Sequence, residues 1–151
     1  MILDAYNEMC SATALNTGGA GTYLIGSQID LGVAGRDLGN GEPLWLIIRV
    51  TTAVDSTSDN TVQQFHLASD ASASIATDGS ATYHVSTAAL AQTAVDAAGD
   101  LIYAGPLPSG TYERYLGILH TVSTAAATAG AIDAFLTHDP QLWKAYADAT
   151  D

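Results

Sequence analysis

The sequence predicts an all-β protein, an antiparallel two-sheet sandwich around one core. Three observations predict it: short runs in which apolar and polar residues alternate, turn-forming residues between those runs, and a length of 151 residues that suits a single domain. Hydrophobic residues make up 48% of the chain, enough to fill a domain that hides roughly 70% of its unfolded surface. Nearly half of the sequence is Ala, Gly, Ser or Thr, and only 13% is charged.

Residues 1–22 fit neither the helical nor the strand period and end in Asn16-Thr17-Gly18-Gly19-Ala20-Gly21, so an N-terminal arm and loop is expected there. The sandwich is expected over residues 23–139. Its strongest strand follows Pro43: Leu44, Leu46, Ile48 and Val50 alternate with Trp45, Ile47, Arg49 and Thr51. Because Trp45 and Ile47 make the second face apolar as well, this strand is expected near a sheet centre with cover on both sides. The turn formers Asp55-Ser56-Thr57-Ser58-Asp59-Asn60 predict a hairpin into a strand over 61–69.

Beyond it, Asp78-Gly79 marks a tight turn, and the Ala-rich run Ala88–Ala98 is read as extended, since Gln92, Thr93 and Val95 blunt its helix propensity. Three further strands are expected over Asp100–Gly105, Arg114–Val122 and Gly130–Thr137, with Pro106-Leu107-Pro108-Ser109-Gly110 as a turn. On the second of these, His120 shares a face with Leu116, Ile118 and Val122. About eight strands result. The tail over 140–151 is expected to be a short helix, capped by Asp139 with Pro140 at its first position.

Sixteen Asp and Glu against four Lys and Arg give a formal net charge of -12. Arg36, Arg49, Arg114 and Lys144 are scattered singly, so neither a phosphate backbone nor an anionic membrane finds a basic patch. No apolar run reaches the 18 or so residues of a membrane span. The opening Met1-Ile2-Leu3-Asp4 lacks the basic start of a secretion signal. Cys10 stands alone and cannot form an internal disulfide. These features fit a protein made in a reducing cytoplasm.

No motif with a chemical mechanism emerges, and no enzymatic activity, cofactor or metal is expected. His66, His84, His120 and His138 lack metal-ligand spacing and are read as strand histidines at a surface or interface. Asp55, Thr57 and Asp59 open like a calcium loop, but Asn60 stands where glycine is required and His66 where a bidentate glutamate is required. Gly18-Gly19-Ala20-Gly21 lacks the Lys-Ser or Lys-Thr of a phosphate loop. Neither Gly26-Ser27 nor Ser109-Gly110 forms a nucleophile elbow.

What remains is a set of large apolar groups outside the strands: Ile2, Leu3, Tyr6 and Met9 near one terminus, Leu142, Trp143 and Tyr146 near the other. They can fold back over the sandwich or reach a neighbouring molecule, and Trp, Tyr and Met are favoured interface anchors. These seven are the candidate partner-binding residues.

Read as a string, Ile29-Asp30-Leu31-Gly32 followed by Arg36-Asp37-Leu38-Gly39-Asn40-Gly41-Glu42-Pro43-Leu44-Trp45-Leu46 resembles the capsid cement (decoration) proteins of short-tailed bacteriophages. Met1-Ile2-Leu3-Asp4 is similar to the family's opening. Leu107-Pro108 with Gly110 and Arg114-Tyr115-Leu116 is similar to its late strand, and Ala129-Gly130 through Ala134-Phe135-Leu136-Thr137 to its last one. The resemblance implies a jelly-roll sandwich on the outer surface of an icosahedral virion. There it would bridge neighbouring major capsid subunits as a homo-oligomer, a dimer before a trimer. The alternative is a carbohydrate-binding jelly roll on the virion, for which Tyr83, Tyr112 and Tyr115 are the aromatic candidates; a small hydrolase would need a catalytic pair that the sequence does not display.

Overall fold

The computed structural model describes residues 5–15, 18–32, 36–38, 41, 43–58 and 60–140. Eleven strands lie among them: β1 (Glu8–Ala14), β2 (Gly21–Asp30), β3 (Arg36–Leu38), β4 (Trp45–Ser56), β5 (Val62–Asp70), β6 (Thr82–Ser86), β7 (Leu90–Ala91), β8 (Leu101–Pro106), β9 (Gly110–Tyr112), β10 (Tyr115–Val122) and β11 (Ala127–Thr137). Two antiparallel sheets form a sandwich, one in the order β1-β11-β4-β8 and the other β2-β10-β5-β6, with β7 also pairing β5. The short β3 and β9 pair with each other. The count exceeds the expected eight because β3, β7 and β9 have only two or three residues each.

Alternation builds the core as expected. Leu46, Ile48 and Val50 of β4 meet Ile132, Ala134 and Leu136 of β11, and across the sandwich they face Phe65 and Leu67 of β5 and Leu116 and Ile118 of β10. β4 lies inside its sheet, between β11 and β8. Its outward Ile47, opposite Phe135, is as inaccessible as the core face.

Several expectations are corrected. The arm is not an arm over its whole length: residues 8–14 are β1, paired with β11. The turn after β4 makes no hairpin, because β4 and β5 belong to opposite sheets and the connection crosses between them. Turn residues announce a reversal but not the partner that the next strand will choose. The Ala-rich run is extended only at Leu90–Ala91 and then forms a 3-10 turn over Gln92–Ala94. The helix expected over 140–151 falls outside the described residues after Pro140.

A polar pair interrupts the core. His120 is fully buried, stacks on Phe65 with ring centroids 5.0 Å apart, and bonds through Nε2 to Gln63 Oε1. Its Nδ1, the Gln63 amide nitrogen and the Thr61 hydroxyl have no partner among the described residues. Burial, with a smaller contribution from the charge of His66, pulls the His120 pKa down to about 4, so the ring is neutral. His120 is therefore a core group and not the surface histidine expected of it.

On the outer face of the same sheet, a ladder crosses four strands. Thr22 Oγ1 meets Thr121 Oγ1 at 2.8 Å, Thr121 Oγ1 meets His66 Nε2 at 3.2 Å, and His66 Nδ1 meets Ser86 Oγ at 2.8 Å. Beside it the loop between β5 and β6 folds over the sheet. Its Ile75 fills the space that Gly117 leaves by lacking a side chain, since an added Cβ would lie 2.8 Å from Ile75 Cδ1.

Candidate interaction site

β1 and β2 are the outermost strands of their sheets on the same side of the sandwich. They approach closely because Gly26 has no Cβ: one added there would lie 2.1 Å from the Met9 carbonyl oxygen and 2.7 Å from Cys10 Sγ, and its φ of +69° already favours glycine. β1 bulges twice against β11. One bulge is pinned where the Ala12 amide donates to Asp133 Oδ1 at 2.8 Å, while Arg49 donates through two nitrogens to Asp133 Oδ2. Cys10 is buried here and its thiol is pushed up to about 12, chiefly by that burial, so it is an inert packing group.

Ahead of β1, a 3-10 turn over Ala5–Asn7 carries Tyr6 outward, 87% exposed. Between this turn and the last residues of β2 opens a cleft of about 520 Å³, lined by Ala5–Glu8 on one wall and Ser27–Asp30 on the other. Asp30 is held by Arg114, which donates to both carboxylate oxygens at 2.9 Å, and by the Gly32 amide at 2.8 Å; these bonds lower its pKa to about 2. Arg114 in turn lies over the Tyr115 ring, 5.0 Å from its centre.

The cleft sits at one end of the sandwich, where distant parts of the chain meet. The Leu31 amide donates to the Arg114 carbonyl at 2.8 Å and the Leu107 amide to the Leu44 carbonyl at 2.7 Å. β3 pairs with β9, Trp45 lies opposite both Pro106 and Thr137, and Glu8 opposite Phe135. The Tyr112 hydroxyl, pushed up to about 12 mainly by burial, ties the turn by donating to the Pro108 carbonyl at 2.7 Å. The described chain thus begins and ends at this end. Those contacts bring residues 29–32, 36–38, 43–46, 106–116 and 134–137 to this end.

Of the seven candidate residues, Tyr6 stands at the mouth of the cleft. Met9 is corrected from partner contact to core: it is 1% exposed and fills the space between the sheets, in the same cluster as Ile25 and Ala134. Ile2, Leu3, Leu142, Trp143 and Tyr146 lie outside the described residues. Sequence reasoning missed the wall Ser27–Asp30, because nothing local marks a strand as outermost until its pairing is known. The aromatic candidates for sugar binding do not share a surface: Tyr112 is fully buried against His84, Tyr83 is 39% exposed on the outer face beside His66, and Tyr115 lies under Arg114. Among the described residues no three His, Cys, Asp or Glu converge as a metal site.

No curated protein matches the chain. The family model Bbp16 matches residues 11–136, from within β1 to within β11. With that match covering well over half of the chain and nearly all of the sandwich, the chain belongs to the Bbp16 family.

Proposed function

We propose that this protein is a capsid decoration protein that binds the outer surface of an assembled icosahedral phage shell and bridges neighbouring major capsid subunits. The observation that carries this reading is that cement-like segments from distant parts of the chain, at residues 29–32, 44–46 and 107–116 and at the close of the run 129–137, meet at the end of the sandwich where the cleft opens. The strand order supports it: β1-β11-β4-β8 against β2-β10-β5-β6 is read as a jelly roll, eight strands wound as two Greek keys. A net charge of -12 suits an exterior position, facing away from packaged nucleic acid.

The mechanism is mass action. A protein that binds only the assembled shell stabilises that state by its binding free energy, summed over many copies. If it acts as a homo-oligomer, dimer or trimer, contacts to several subunits combine through effective concentration. Sedimentation of the purified protein with empty shells tests the reading. Saturable co-sedimentation at a fixed ratio to the major capsid protein is expected; a protein that stays in the supernatant at every concentration contradicts it.

A further inference from the structure

We infer that the cleft beside Tyr6 takes an extended, basic segment of the shell subunit, laid along the open edge of β2. The inference rests on the shell-binding reading and names the chemistry of the partner. With ten residues, β2 is the longest of the strands that end a sheet, and among the described residues it pairs on one side only, with β10. β1 packs against its other edge at Ile25 and Gly26, and beyond them, from Ser27 to Asp30, that edge is left to main-chain pairing of the kind that an added strand uses. Residues Ser27–Asp30 bring that edge into the cleft, whose volume of about 520 Å³ accommodates several residues of a peptide.

Charge selects the occupant. Among the described residues the lining holds Glu8 and Asp30 and no Lys or Arg, and Arg114, which reaches Asp30 from β10's side, neutralises only one of the two carboxylates. A cationic side chain entering beside Glu8 gains attraction, and an acidic one is repelled. A second copy of this chain, at net -12, brings the wrong sign to the same place. Tyr6 adds an exposed ring against which a Lys or Arg side chain can lie. Main-chain pairing along β2 then supplies affinity, and the carboxylate with the ring supplies selectivity.

The test uses the full chain and purified empty shells. The double variant Tyr6→Ala/Ser27→Lys alters two exposed positions of the cleft and leaves the core intact; Thr93→Lys adds the same charge at the opposite end. With folding checked by thermal melt, the double variant is expected to bind shells at least about tenfold more weakly, and Thr93→Lys within about twofold of the parent. Parent binding should weaken as salt rises. If the parent binds and the double variant binds equally well, the cleft inference fails while shell binding stands. If the parent itself does not bind, both fall together. Glu8→Gln, which removes the cleft's unneutralised carboxylate without adding bulk, gives a second reading of the same point: unchanged affinity and unchanged salt dependence overturn the inference.

Discussion

The two ends of the sandwich use similar turn residues and differ in what those residues touch. At the end away from the cleft the turns bond directly to one another. Ser56 Oγ lies 2.7 Å from the Ser58 carbonyl and 2.8 Å from Gln92 Oε1, Gln92 Nε2 donates to Asp55 at 3.0 Å, and Ser123 Oγ accepts the Val62 amide at 3.1 Å. At the cleft end, the Arg114–Asp30 pair, the Leu107–Leu44 bond and the β3–β9 ladder join segments more than 60 residues apart, yet the cleft and one strand edge stay open. The first end ties off the fold. The second holds a fixed shape toward solvent, which is what a binding surface needs if ordering is not to be charged against affinity.

Changes in the shared core should break both ends at once. Phe65→Ala removes a fully buried ring that stacks on His120, and a loss of about 3–5 kcal/mol in stability by urea denaturation is expected. Shell affinity of the fraction that stays folded should be unchanged, because Phe65 reaches neither end's surface.

Acid should act through the sheet that carries the histidines. His120 takes up a proton near pH 6.5 when unfolded but only near pH 4 when folded, so between those values the unfolded chain binds more protons and stability falls as pH drops. The loss should approach about 3 kcal/mol by pH 4 and then level off for this group. His66 and His84, both lowered by burial, add in the same direction. The paired variant Gln63→Leu/His120→Phe should flatten the profile; denaturation curves from pH 7.5 to 4 that are as steep as the parent's would show that His120 is not the acid-sensitive group.

Smaller effects should separate the ends. Tyr112→Phe removes the bond to the Pro108 carbonyl and is expected to cost about 1 kcal/mol and to weaken shell binding, since it loosens a turn at the same end of the sandwich as the cleft. Gln92→Ala at the other end should stay within about 0.5 kcal/mol and leave shell binding untouched. Equal effects of the two on binding would erase the distinction between the ends.

Much of the sandwich is legible in the sequence because a strand with one face in the core must alternate, as β4 and β10 do. β1 is not legible: Met9 and Cys10 are consecutive and both buried, because the bulges against β11 break the period of two. Pairing is equally hidden. Alternation says which face of a strand is inside and nothing about its neighbour, so a turn that reads as a hairpin crosses between sheets instead. The site is half visible. Tyr6 announces itself as a large group near a terminus, whereas Ser27–Asp30 becomes a wall only because β2 happens to end its sheet and Gly26 lets β1 approach.

The most direct test of the central claim is the temperature at which purified empty shells come apart, measured while the protein is titrated in. Binding to the assembled shell predicts that this temperature rises with occupancy and stops rising when the sites are full. A disruption temperature that does not move at saturating protein would contradict the account.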